Sequence, residues 1–144
     1  MLKFSKKIDY GLMAIRYLAE HESDRIITTK AIADQCHIPG ELLAKILQRL
    51  AKQGLVQSHN GSHGGYRLEK ELSHITVAEV MEAIEGPFAI ADCYREHGHN
   101  GCDQYQYCTV RQPLGQVQAD IIALLSRTTL EGMYESMAKE GVQA

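Results

Sequence analysis

Three of the chain's four cysteines, Cys93, Cys102 and Cys108, fall within the stretch I-A-D-C-Y-R-E-H-G-H-N-G-C-D-Q-Y-Q-Y-C-T-V-R, Ile90 to Arg111. Eight residues separate the first two and five separate the last two, a spacing that one helical face does not gather. With Gly98, Asn100 and Gly101 between them, the thiols must converge from a loop. A loop that gathers three thiols is commonly held by a metal or metal cluster, whose bonds offset the entropy of ordering it. An internal disulfide would leave one of the three unpaired. Cys36 lies far from this group in sequence and reads as a small hydrophobe in a helix core.

At 144 residues the chain suits one domain, or one small domain with an appendage. A chain of that size buries about two thirds of its unfolded surface and needs no covalent staples. Met1 to Lys7 contains cations but no apolar run follows them, so neither a signal peptide nor a membrane span is expected. The expected location is the cytoplasm, where thiols stay reduced and serve metals or redox chemistry more than structure. The net charge is only -3, yet it is unevenly spread. Residues 1 to 70 hold eleven Lys/Arg against seven Asp/Glu (+4), and residues 71 to 144 hold four against eleven (-7). A basic first half suits a phosphate backbone; the acidic second half does not.

The elements that must position the cysteines are legible in the flanking residues. Ser5 as N-cap, with Ile8, Leu12, Ile15 and Leu18 at helical spacing, predicts a first helix to about His21. Thr28 or Thr29 opens a second, short helix, T-T-K-A-I-A-D-Q-C, with Ile32 and Cys36 inward. After the break at His37-Ile38, Pro39 suits a first helical position, and E-L-L-A-K-I-L-Q-R-L-A-K-Q carries a third helix to Gly54. Leu43, Ile46, Leu47 and Leu50 make its apolar stripe, and Glu41, Lys45, Gln48 and Lys52 a polar one.

The run L-V-Q-S-H, N-G-S-H-G-G, Y-R-L that follows has the pattern of a two-stranded hairpin with a glycine tip. Helix-turn-helix plus hairpin is a winged helix, whose third helix enters the major groove of duplex DNA. Lys45 and Gln48 are expected at base edges, and Arg49, Lys52 and Arg67 near phosphates. T-V-A-E at Thr76 is a capping box for a fourth helix that Gly86-Pro87 ends. Past the cysteines, Pro113 opens a longer helix with a heptad-like seam of Leu114, Val117, Ile121, Leu124 and Leu125, to about Ser126. Such a seam calls for a partner helix, and a homodimer supplies one. Thr128-x-x-Glu131 caps a last helix carrying Leu130, Met133 and Met137. The expected fold is mainly α: a winged helix-turn-helix with a two-stranded β wing, a cysteine loop and a long C-terminal dimerisation helix. Its expected parts are residues 1–86, 87–112 and 113–144.

The order of parts resembles a family of dimeric winged-helix regulators that includes the IscR-type iron-sulfur regulators, the NsrR-type nitric-oxide sensors and regulators of SUF assembly operons. The stretches that carry the resemblance are K-K-I-D-Y-G-L-M-A-I-R-Y-L-A, L-A-K-Q-G-L-V, H-G-G-Y-R-L, T-V-A-E-V-M-E-A-I-E-G-P, the three cysteines before a long helix, and T-L-E-G-M after it. The resemblance implies a transcriptional regulator whose operator affinity follows the state of an iron-sulfur cluster, [2Fe-2S] or [4Fe-4S], on Cys93, Cys102 and Cys108. Two positions depart from the pattern. Asn60 stands where family wings often carry Arg, so a minor-groove contact is either missing or supplied by His63. Arg111 stands where IscR-type members have a His, and a guanidinium is no ordinary ligand. The fourth ligand is then sought among Asp9, Asp92, His97, His99 and Asp103; NsrR-type relatives present a carboxylate at the Asp9 position from the opposite subunit.

Two readings of other classes compete. Three cysteines with His97 or His99 satisfy tetrahedral zinc, giving a zinc-stabilised winged-helix factor without a redox cluster. A thiol enzyme using Cys93 or Cys108 is the other, but no base-and-orienter arrangement accompanies either thiol, so the chain is not read as an enzyme.

Overall fold

Ser5 starts the first helix as its type predicts: in a computed structural model that describes residues 2–21, 24–95 and 102–141, its side chain accepts from the Ile8 amide. The helix, α1, is Lys6–Ala19 and stops before the expected His21. There the His21 ring Nδ1 donates to the Tyr17 carbonyl at 2.7 Å and so satisfies an end the helix leaves open. Ile8, Ala14, Ile15 and Leu18 are buried. Gly11 sits between them, and a Cβ there would run into Ile84 Cδ1, so glycine is what lets α1 lie against the fourth helix.

Thr28 caps α2, Thr29–Cys36. His37 turns the chain in the left-handed region, φ 55°, and Ile38 is buried beneath the turn. Helix α3 is Gly40–Lys52, with Pro39 at the N-cap instead of the first helical position. Pro39 is still well placed, because an N-cap contributes a carbonyl and Leu43 donates to it at 3.0 Å. Leu43, Ile46, Leu47 and Leu50 are all buried, as the stripe predicts.

Strands β1, Val56–His59, and β2, Gly65–Leu68, pair antiparallel, Val56 opposite Leu68 and His59 opposite Gly65. A bridge between Ile27 and Tyr66, invisible in the hydropathy pattern, ties the wing to the chain just before α2. A Cβ on Gly64 would lie 2.6 Å from the His59 carbonyl oxygen, and Gly61 has φ 105°, so the tip requires its glycines.

Helix α4, Val77–Glu85, has both halves of the predicted capping box: Glu79 accepts from the Thr76 amide at 2.8 Å, and Thr76 from the Glu79 amide at 3.2 Å. Ser5 donates to Glu85 at 2.5 Å, joining the two helix ends. Helix α5 is Arg111–Arg127, two residues earlier than expected; Pro113 falls in its first turn, where no intrahelical amide bond is due. The last helix, α6, is Leu130–Lys139, and its N-cap is Thr129, not Thr128. Thr129 accepts from the Gly132 amide, while Thr128 spends its hydroxyl on the Leu124 carbonyl. The two threonines therefore divide the end of one helix and the start of the next.

Helix α6 returns to the winged helix. Leu130 is fully buried, its amide bonds the Ile75 carbonyl at 2.9 Å, and the Tyr134 hydroxyl donates to the Leu12 carbonyl at 2.8 Å. Burial pushes the Tyr134 pKa up to about 12. Helix α5 differs: it has no buried residue and meets its own chain chiefly along α4.

Candidate cysteine site and nucleic-acid interface

The chain leaves α4 at Gly86 (φ 82°) and reaches a short 3-10 turn, Asp92–Tyr94, that carries Cys93. Cys102 and Cys108 follow in the irregular stretch before α5. All four cysteines are free thiols, with Cys93 and Cys102 half-buried and Cys108 exposed. Tyr94 joins the two ends of the stretch: its hydroxyl donates to the Arg111 carbonyl at the start of α5, and its ring packs on Gly115 in the first turns of that helix. That hydroxyl is within electrostatic reach of both Cys93 and Cys108. Desolvation foremost, then the charges of the two thiols, raise its pKa, and Arg111 opposes them.

The arrangement thus brings Cys93 and Cys108 around Tyr94 at the α5 N-terminus. Among the described residues, no three His, Cys, Asp or Glu side chains converge on one metal position. Asp92 is ion-paired with Arg95 at 3.5 Å, and Asp103 is exposed. His97 and His99 lie outside the described residues. Asp9 is in the first turn of α1, 3.7 Å from the Lys6 ammonium, with 43% of its side chain exposed. Cys36 is half-buried against the core at the end of α2, where desolvation, helped by Glu20, raises its thiol pKa.

Tyr94 and Tyr105 were not singled out from the sequence. Tyr105 lies under the Arg111 guanidinium, 4.0 Å from ring centroid to the cation. The available signal was the clustering of tyrosines among the cysteines, in Cys93-Tyr94 and in Tyr105 to Cys108.

On α3, Lys45, Gln48 and Lys52 are exposed in a row, and His63 is exposed at the wing tip. Among the described residues, none of their side chains is held by a hydrogen bond or ion pair. Arg49 and Arg67 are differently employed. Arg49 donates to the Ile84 carbonyl at 2.6 Å, binding α3 to the end of α4. Arg67 donates to the Gln57 side chain at 2.7 Å across the wing and approaches Asp24 at 3.9 Å.

The Rrf2 family profile, described as an iron-dependent transcriptional regulator, matches residues 4–136. The chain belongs to the Rrf2 family. Over 130 residues it is 28% identical to the HTH-type transcriptional regulator NsrR of Bacillus licheniformis, covering 90% of each chain. Its fold is similar to that of IscR from T. potens, with TM-score 0.71 and 27% identity over 99% of this chain and 93% of that one. It is also similar to CymR of B. subtilis, described as the global cysteine regulator, with TM-score 0.70 and 26% identity over 94% of this chain and 98% of that one. These Rrf2 relatives are named as transcriptional regulators, not enzymes. No helix among the described residues is long and apolar enough to cross a membrane.

Proposed function

We propose that this Rrf2 protein is a cytoplasmic, homodimeric, DNA-binding regulator that senses iron-sulfur status, redox state or nitric oxide through an iron-sulfur cluster. The observation that carries the reading is the set of three free cysteines in the stretch between α4 and α5, whose two ends the Tyr94 hydroxyl ties together through the Arg111 carbonyl. Family membership alone does not select the signal, since the relatives include a protein described as a cysteine regulator. The donor chemistry supports the cluster reading: soft thiolates suit an iron-sulfur cluster. Cys93, Cys102 and Cys108 would hold it, and it would supply a centre sensitive to electrons and to small oxidants. Cys102 must be drawn toward the other two, so that loading is coupled to ordering of the stretch.

The fourth ligand in this reading is Asp9 of the partner subunit. Asp9 is on α1, part of the same packed core as α3, so a bond across the dimer would connect the cysteine site to the DNA-reading helix. The exposed row of Lys45, Gln48 and Lys52 meets the major groove, with His63 at the wing. Arg49 and Arg67 lie at the edge of that face and reach phosphates only through the nitrogens their intramolecular bonds leave over. Helix α5 pairs with its copy through the exposed seam.

Purification without oxygen, followed by absorption spectra and iron and sulfide counts, tests the cluster directly. A brown protein containing both elements is expected, and a colourless one containing zinc would sink the reading. Cys93→Ala, Cys102→Ala and Cys108→Ala should each bleach the spectrum of a folded dimer. Cys36→Ala should keep its colour; loss of colour in a folded Cys36→Ala protein would overturn the ligand assignment.

A further inference from the structure

Arg111 occupies a position that local electrostatics disfavours in three ways. It is the first residue of α5, whose N-terminal end carries the positive pole of the helix dipole and favours anions. Its Nη1 is buried and finds no hydrogen-bond partner among the described residues. Among those residues, too, no carboxylate comes within ion-pair distance of it. A cation with a buried, unbonded nitrogen in such a place is stabilised by negative charge in its surroundings.

The guanidinium is nevertheless held in place. It stacks over Tyr105 at 4.0 Å, and the Arg111 carbonyl accepts the Tyr94 hydroxyl. Cys93 adjoins the Tyr94 that makes this bond, and Cys108 lies three residues before Arg111, so both thiols belong to the stretch that the bond closes. We propose that Arg111 is a positioning residue for the cysteine site, a fixed positive charge partnering the negative charge that Cys93, Cys102 and Cys108 carry when they hold an iron-sulfur cluster. This inference rests on the cluster reading above. One electron from a low-potential reductant adds one negative charge to the loaded site. A cation fixed beside it offsets that charge, so removing the cation makes reduction harder.

The test is a potentiometric titration of the full-length protein, purified without oxygen and reduced with dithionite through mediators. Wild type is compared with Arg111→Gln, Arg111→Met and Arg111→Lys, and circular dichroism checks the fold of each. The two uncharged variants should shift the oxidised-to-reduced ratio at a given potential at least tenfold toward the oxidised form, about 59 mV for one electron. Arg111→Lys, which keeps the charge, should stay within about threefold of wild type, a small part of that interval. Either uncharged variant, folded and titrating as wild type, overturns the inference. So does an equal shift, or loss of the cluster, in the lysine and uncharged variants alike, because the guanidinium would then act by shape. A wild-type protein without a cluster sinks the reading and the inference together, whereas a coloured wild type with unshifted variants sinks the inference alone.

Discussion

Side chains on the surface proposed to face DNA divide by what holds them. Lys45, Gln48 and Lys52 project from α3 with no partner among the described residues, whereas Arg49 is bonded to Ile84 and Arg67 to Gln57. A face meant to read DNA keeps its reading groups free and spends other cations on rigidity. Gln48→Ala should cost about 1–3 kcal/mol on the operator and little on random duplex, and Lys52→Ala should weaken both alike. Fluorescence anisotropy against the two DNAs at one salt concentration measures this, and equal losses for both variants would remove Gln48 from a reading role. At the cysteine site, the type and number of thiols were legible because a thiol's chemistry is intrinsic to the residue. That Tyr94 would bond α5, and Arg111 lie on Tyr105, was not, because both contacts join residues that only the folded chain brings together.

Helix ends follow local chemistry most faithfully. The Thr76 capping box formed as its residues predict, because both of its bonds are made within four residues of chain. Glu79 also accepts from Lys70 at 3.2 Å. Burial alone would raise its pKa, but the bonds from the Thr76 amide and from Lys70 outweigh burial and hold it below the usual carboxylate value. Its stabilising contribution is therefore present above the unfolded-state pKa and lost as pH falls through the depressed folded value. Thermal melts of Glu79→Gln and wild type should differ at pH 7 and converge as the pH drops below the carboxylate range. A gap that persists unchanged in acid would refute the assignment. The cap of α6 shows where local reading stops. Thr128 and Thr129 are equivalent in type, and the bridge from Thr76 to Thr129 placed the second at the cap.

At the scale of the molecule, α6 folds back on α1, whereas α5 meets the rest of the described chain chiefly along α4 and the stretch that follows it. Leu114, Val117, Ile122 and Leu124 keep 37%, 47%, 38% and 48% of their surface exposed. Ile121 and Leu125 line a groove of about 1320 Å³ that continues to Phe4, Met81 and Phe88. In the proposed homodimer, a second copy of the chain would cover the exposed seam and the groove with the same seam. Val117→Glu should give a folded monomer by sedimentation and weaken operator binding; a dimer that survives would remove α5 from the interface. Asp9→Ala tests the crossing bond. It should leave the dimer but change the cluster spectrum and uncouple DNA affinity from cluster state. An unchanged spectrum, together with one altered by His97→Ala or His99→Ala, would return the fourth ligand to the cysteine stretch.

The sequence by itself determined the helices, the wing and the cysteine inventory. Hydrophobic spacing, capping residues and turn glycines act within a few residues of themselves, and thiol chemistry is a property of the residue. Only the tertiary structure decided which polar groups were free and which were spent. Arg49 and Lys52 lie three apart on one helix and look alike in sequence. The arrival of α4 behind α3 gave Arg49 a carbonyl to bind, and nothing among the described residues did the same for Lys52. The same holds for Arg111. Its identity is written in the chain, but the burial of its Nη1 and its stacking on Tyr105 exist only in the folded chain, where Tyr94 joins the start of α5 to the turn that follows α4.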